Sequence, residues 1–343
     1  MRRLLLTLAL TAAAHASALG LEDAWRSAPA RPEAITTRLE LLTARSNLVR
    51  VEADPLALRL DKLQATQEVE RLEAEHRHAL LSAMQEIAEA YTGVLQARDQ
   101  AGLAREALAL TESALEVARI RFANGSATAL ELREAEIAVD EARQNVEAAE
   151  NGLGVARANL EGMIGVEVDP AELEPVSDEL LATPPALEAL LAGLSGHPTL
   201  LQASQGVELA RAAVELLDPA YAPAAQIESA RTQLATAEEL VAEARRGFEL
   251  QARNAYLQVG TAADKHDVAA QRAAAAEERL GLEELRLQGG LISRLQRDQA
   301  ALEARRRALE LQAAKHDHLL ALLRLQTATM YDLGLAPAGA VGQ

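Results

Sequence analysis

The sequence lacks several features that mark common protein classes. It contains no cysteine, which excludes a disulfide framework and a lipidated cysteine after a signal segment. Aromatic residues make up only 2% of the chain, whereas complete transmembrane β-barrels normally carry aromatic girdles at both interfaces. After the N-terminus, no stretch approaches the roughly 20 uninterrupted apolar residues of a membrane-spanning helix. These absences argue against a lipoprotein, a complete transmembrane barrel and a helical membrane protein.

Positive charge is scarce relative to negative charge. The formal net charge is −17 at pH 7, and removal of Arg2 and Arg3 with an N-terminal signal would bring it to −19. This charge disfavours nucleic acid or an anionic lipid surface as a partner. The many Glu and Arg residues on helix faces predict a solvated surface with pairs four residues apart. An acidic tunnel lining that passes cations is the alternative.

The N-terminus has the organisation of a secretory signal peptide. Two arginines precede an apolar run over residues 4–14, and the small residues of 14–18 supply cleavage sites after Ala16 or Ala18. We therefore expect residues 1–18 to be removed on export, and we expect the mature protein to have no membrane helix.

The mature chain repeats itself at a spacing of 164 to 166 residues. The related positions are Pro32 and Pro198, Asp54-Pro55 and Asp218-Pro219, Ala90-Tyr91 and Ala255-Tyr256, Gly125 and Gly290, and Ala135 and Ala300. A duplication with helical periodicity in both copies is most simply two copies of one helical hairpin module.

Apolar residues in both copies follow the 3-4 alternation of a coiled-coil seam, which in the first long helix runs from Ile87 to Phe122. The clearest seam runs from Leu132 to Met163 without a polar interruption, and large residues alternate there with alanine. A helix from about Asp61 to Arg121 would be on the order of 90 Å long, too long to surround one globular core. The sequence predicts an all-α fold: a tandem repeat of long antiparallel coiled-coil helical hairpins, with little or no β-structure.

Each hairpin has a marked tip. Asn124-Gly125 and Gly289-Gly290 end one helix, and the spacing of Thr128 to Glu131 and of Ser293 to Gln296 predicts capping boxes that start the next. The predicted organisation is a signal peptide over 1–18, repeats over 19–165 and 186–334, a proline-rich irregular linker over 166–185, and a flexible tail over 335–343.

This ordered combination of motifs resembles the TolC-like outer-membrane efflux protein family. The resemblance rests on Leu21-Glu22-Asp23-Ala24 followed by Pro32, on Leu187 to Leu191 followed by Pro198, and on the Ala-Tyr pairs. It also rests on the Arg-x-x-x-Gly tips at Arg121 to Gly125 and at Arg286 to Gly290. No single motif is specific, but the order occurs twice and covers nearly the whole mature chain.

The resemblance implies a homotrimer located in the periplasm and outer membrane. Its long helices would form a tunnel for the passive export of substrates supplied by an inner-membrane pump and a periplasmic adaptor. The tunnel entrance would meet the adaptor at the hairpin tips. The residues that correspond here are Arg121, Asn124, Gly125, Thr128, Arg286, Gly289, Gly290 and Ser293. Glycine turns and helix caps account for most of these residues on structural grounds alone.

One departure from the family pattern bears on function. The family's membrane strands follow the Asp-Pro position. Here only about eight residues separate Asp218 from the heptads that begin at Ile227. Two spanning strands would need about 9 to 11 residues each. In the first copy, Leu56 to Leu60 alternates like a strand, although a first helical turn is favoured. We therefore expect the barrel strands to be missing, which leaves contact with the membrane open. The alternative function is a non-conducting periplasmic coiled-coil structural or adaptor-like protein.

The sequence shows no catalytic constellation, and we expect neither an enzyme nor a bound cofactor. Two histidine pairs, His76 with His78 and His316 with His318, invite a metal hypothesis. Residues two apart on a helix point to nearly opposite sides, however, so packed or solvated histidines are the favoured interpretation and no metal site is predicted.

Overall fold

The computed structural model describes residues 19–218 and 220–335. This part of the chain is helical, and its one β feature is an isolated parallel bridge between Leu19 and Leu173. The predicted signal peptide, Pro219 and nearly all of the predicted tail lie outside the described residues. Among the helices of residues 19–218 and 220–335, none contains an apolar stretch that could span a bilayer. The predicted all-α fold class is confirmed.

The duplication is visible in the helix lengths. The α-helices are, in chain order, α1 Leu21–Trp25, α2 Pro32–Ala53, α3 Arg59–Ala123, α4 Ala129–Ile164, α5 Leu187–Gly193, α6 Pro198–Glu215, α7 Ala224–Gln288 and α8 Arg294–Thr329. Helices α3 and α7 have 65 residues each, and α4 and α8 have 36 each. At 1.5 Å per residue α3 and α7 are each about 98 Å long, and the sequence predicts about 90 Å for the first of them. Pro32 and Pro198 begin α2 and α6, where a missing backbone N–H costs nothing.

The long helices lie side by side and form a ribbon. In the half that carries the glycine tips, α4 packs on α3, α3 on α8, and α8 on α7. In the other half, α2 packs on α3, α3 on α6, and α6 on α7. The ribbon therefore has two edges: α7 runs along one of them, and α2 and α4 share the other.

Most of the buried core lies in a belt at mid-length. Here α1, the segment 166–186, α5 and Leu335 pack around α3, α7 and α8. The indole Nε1 of fully buried Trp25 donates a hydrogen bond of 2.9 Å to the carbonyl oxygen of Met84. The hydroxyl of fully buried Tyr91 lies 2.8 Å from the carbonyl oxygen of Leu19 and 2.7 Å from that of Glu174. The belt thus fastens the N-terminal segment and the segment between the repeats to α3.

The segment between the repeats is part of this core. It contains two 3-10 turns, Pro170–Glu172 and Asp178–Leu180, and no α-helix. Its apolar side chains at Val168, Leu173 and Val176 are buried. Near its end, the carboxylate of Asp178 forms an ion pair with Lys315 of α8. The exact limits assigned to the repeats and the linker stay predictions.

The predicted seams agree with the packing, with two local corrections. Every seam position of α4 from Leu132 to Met163 is buried or half-buried. Phe122, predicted as the last seam residue of α3, is 44% exposed, because α4 begins only at Ala129 and offers no facing helix at the tip. The preference for helix over Leu56 to Leu60 is wrong for its first part, because α3 begins at Arg59.

Candidate functional site

The two hairpin tips share one backbone design. Gly125 and Gly290 have φ values of 69° and 71°, the left-handed conformation that glycine adopts at little cost. In the first tip, the N–H of Ser126 donates to the carbonyl of Arg121 at 2.8 Å and the N–H of Gly125 donates to that of Phe122 at 2.9 Å. The second tip has the two corresponding hydrogen bonds, from Leu291 to Arg286 and from Gly290 to Leu287. This pair of bonds is the Schellman motif, which satisfies the last carbonyls of a helix.

The returning helices begin with the predicted capping boxes, which are confirmed. The hydroxyl of Thr128 accepts from the N–H of Glu131 at 3.2 Å, and the Glu131 carboxylate accepts from the Thr128 N–H at 2.6 Å. These hydrogen bonds hold the pKa of Glu131 below its usual range. Ser293 and Gln296 form the same pair of bonds at 3.3 and 2.9 Å. Hydrogen bonds therefore define the conformation of both turns.

The two tips differ in the side chains that they present. The first tip is polar at Asn124, Ser126 and Thr128. The second tip presents Leu291, which is 78% exposed, where the first has Ser126. Beside the second tip, a groove of about 380 Å³ is lined by residues that include Arg286 and Ile292. The structure thus brings the predicted residues of each tip together, and their role in docking stays a prediction.

The histidine pairs are packed into the helices. His76 exchanges a hydrogen bond of 3.0 Å with the hydroxyl of Thr37, and burial lowers the pKa of His76. His316 is 2% exposed and lies in the belt, where burial lowers its pKa to about 4. Within the described ranges, no group of three or more histidine, aspartate or glutamate side chains is placed to hold a metal ion.

A second set of apolar residues lies on the edges of the ribbon, and the sequence analysis missed it. On α2, four side chains face away from α3 at positions that keep a 3-4 alternation. They are Ile35, Leu39, Leu42 and Val49, exposed by 44, 60, 53 and 66%. A regular stripe of this kind is the pattern of a helix that packs against another helix.

The other edge helices carry matching stripes. On α4 the exposed apolar side chains opposite its seam are Leu130, Ile137 and Val155. On α7 they are Leu240, Leu250, Leu257, Val268, Leu282 and Leu285, again at steps that preserve a period of 3.5 residues. Reading the positions opposite each seam, as well as the seam itself, would have revealed these stripes.

Comparison with solved structures identifies the fold. VceC of Vibrio cholerae, an outer membrane protein, aligns with a TM-score of 0.62 and 16% identity over 90% of this chain and 95% of its own. CusC aligns with a TM-score of 0.65 and 15% identity over 90% and 95% of the two chains. The MtrE outer membrane channel of Neisseria gonorrhoeae aligns at 0.60 and 16%, over 90% and 88%. The chain therefore has a TolC-like fold built from helical hairpins.

One part of the sequence matches a protein family. Residues 62–166, which form most of α3 and all of α4, match the family described as outer membrane efflux protein. No curated protein matches the chain. The predicted resemblance to the TolC-like outer-membrane efflux protein family is confirmed. This part of the chain is thus similar to outer membrane efflux proteins, a family of non-enzymatic channels, in line with the expectation that the chain is not an enzyme.

Proposed function

We propose that the mature chain forms a homotrimer whose helices enclose a periplasmic tunnel for passive export. Energy would come from an inner-membrane pump, and a periplasmic adaptor would meet the tunnel at the hairpin tips. The observation that carries this proposal is the pair of apolar edges on a ribbon one helix thick.

The two edges are complementary in direction and in chemistry. Helix α7 runs toward the glycine tips and α4 runs away from them, so α4 of one copy would pack antiparallel against α7 of the next. With the tips level, Leu130 of α4 lies beside Leu285 of α7, because each is five residues from its tip glycine. Helix α2 would continue the same contact along the other half of α7. Closure of a ring is the simplest arrangement that covers both edges on every copy.

A closed trimer would leave a passage through its centre. Three ribbons place twelve helices in the ring, and helices packed about 10 Å apart give a ring about 38 Å across, with roughly 28 Å free inside. Such an opening would pass small solutes without a conformational step in the helical wall. The number of copies comes from the family resemblance, and the edges supply the means of association.

The oligomer can be tested with matched variants. Leu282→Glu combined with Leu285→Glu places charge on the α7 edge, whereas Ile120→Glu changes a side chain of similar exposure, 54%, on α3, which has a helix on each side. Light scattering of the wild type should give three chains per particle, and electron microscopy should show an elongated ring. The edge variant should dissociate and the Ile120 variant should not. A compact wild-type monomer would refute the proposal.

Export needs a separate test in cells. The cloned gene should restore drug or metal resistance to a strain that lacks its own outer-membrane channel, and the edge variant should fail to do so. If the trimer forms but neither restores resistance nor binds an adaptor, the non-conducting structural role would be the correct function.

A further inference from the structure

A groove of about 280 Å³ lies between α3 and α8, beside the belt. Its lining on α3 includes Asp99, Gln100 and Leu103, and on α8 it includes Leu309, Ala313 and His316. Residues three, four or seven apart share one face of a helix, and the lining residues on both helices follow this spacing. The groove is therefore formed where one face of α3 meets one face of α8.

The groove opens on the side of α3 that faces away from the segment between the repeats. The guanidinium of Arg98 donates to the carbonyl oxygens of Pro170 at 3.2 Å and of Leu173 at 3.3 Å, which places that segment on the Arg98 side of α3. Gln100 is two residues further along the helix and points to the nearly opposite side. It is exposed, and it also lines a second groove of about 490 Å³ that extends to α4. A small molecule can therefore enter from solvent.

His316 is the unusual group in the lining of this groove. The residue is 2% exposed, and its Nδ1 is buried without a hydrogen-bond partner in the described part of the chain. Burial lowers the pKa of His316 to about 4, so the ring is neutral at pH 7 and one of its nitrogens can accept a hydrogen bond. Buried polar groups without partners are rare because they are unfavourable. The ring therefore has a capacity for hydrogen bonding that the chain itself does not use.

Asp99 supplies negative charge beside this ring. Its side chain is 17% exposed, and the Nε of Arg98 lies 3.3 Å from its carboxylate. The charge of Asp99 raises the pKa of His316 and so opposes part of the effect of burial, because the two groups are close. The other charged residues in the lining are Arg306 and Glu310, and both are paired with neighbours on α8. The lining therefore has one carboxylate more than it has cationic groups.

We propose that this groove binds a small amphiphilic amine. The ammonium group of the ligand donates hydrogen bonds to the carboxylate of Asp99 and to the ring of His316, and its apolar body packs on Leu103, Leu309 and Ala313. An ammonium group has only donors, which matches these two acceptors, and hydrogen bonds between ionised groups are the stronger kind. The volume is near the lower end of the range for ligand pockets, so the ligand is small. The site lies within one chain, and this inference therefore goes beyond the proposed function and does not depend on the trimer.

Two probes of the same shape test the inference. In titrations of the mature chain followed by saturation-transfer NMR, 2-phenylethylamine should bind at least about tenfold more tightly than 2-phenylethanol, because only the amine carries the charge that Asp99 recognises. The variant Asp99→Asn should remove most of this preference. The control is Asp140→Asn on α4, which removes the same charge from a side chain that is 71% exposed and lies outside the groove. It should leave the binding of both probes unchanged.

A second variant keeps the test decisive if Asp99→Asn does not fold. Gln100 is exposed, so Gln100→Lys should preserve the helices while its added positive charge weakens amine binding about fivefold. Equal affinity for the two probes, or amine binding that Gln100→Lys leaves unchanged, would overturn the inference. The double variant Leu282→Glu with Leu285→Glu should bind the amine as the wild type does. Failure of the trimer would therefore leave this site standing, and failure of amine binding would leave the trimer unaffected.

Discussion

Replacement of Tyr91 by phenylalanine tests how the segment between the repeats is held. The Tyr91 hydroxyl is buried, and burial raises its pKa, so it stays protonated as a donor at any physiological pH. It faces the carbonyls of Leu19 and Glu174, but its single proton serves one of them at a time. The Leu19 carbonyl has a second donor in the N–H of Glu174 at 3.1 Å. Removal of the Tyr91 hydroxyl therefore affects mainly the carbonyl of Glu174, which loses its hydrogen-bond donor.

The expected cost follows from this arrangement. Removal of the hydroxyl deletes one part-buried hydrogen bond and leaves the Glu174 carbonyl without this donor, which should lower the free energy of unfolding by about 1 to 2 kcal/mol. The repeat supplies the control: Tyr256 is the counterpart of Tyr91, is half-buried, and makes no side-chain hydrogen bond within the described residues. Tyr256→Phe should therefore change stability by less than about 0.5 kcal/mol.

The measurement is urea unfolding at one fixed protein concentration, because oligomers unfold in a concentration-dependent manner. Amide hydrogen exchange should locate the effect, with faster exchange in residues 172–176 for the Tyr91 variant only. Equal destabilisation by the two variants, or unchanged exchange in this segment, would show that the Tyr91 hydroxyl does not fasten the segment to α3.

The remaining predictions concern glycine and histidine. Gly193→Ala should destabilise the protein, because the added Cβ would lie 2.8 Å from the carbonyl oxygen of Thr329. A Cβ added at Gly206 would have no neighbouring atom within 4 Å, so Gly206→Ala should stabilise α6 by up to about 1 kcal/mol. Thermal unfolding of the two variants should therefore shift in opposite directions. Because the pKa of His316 is lowered in the folded state, the unfolded chain binds this proton more readily. Neutral His316 therefore contributes fully to stability above about pH 6.5, and its contribution declines as the pH falls toward 4. Between pH 7.5 and pH 5 the wild type should lose about 2 kcal/mol more than His316→Gln, and equal losses would contradict this assignment.

Much of the fold follows from local chemistry in the sequence. The heptad seam of α4, the glycine turn at Gly125 and the capping box at Thr128 each depend on residues within a few turns of one another. Such features can be recognised from spacing alone, since helical period and turn stereochemistry are properties of the local chain. Because the second repeat has the same motifs at corresponding positions, the same predictions apply to it.

The helix faces that remain uncovered depend on how the helices pack in three dimensions. The stripe at Ile35 and Leu39 on α2 has the same period as a buried seam, and nothing in its spacing shows that α3 packs on the opposite side. The burial of Val168 and Val176 could not be predicted either, because the proline-rich segment that contains them shows no regular hydrophobic period. Burial depends on which elements meet in space, and that is settled by the packing of α1, α5 and the long helices around the belt. The hairpins and their tips thus follow from local sequence patterns, whereas the packing of the helices sets the edges by which copies of the chain can associate.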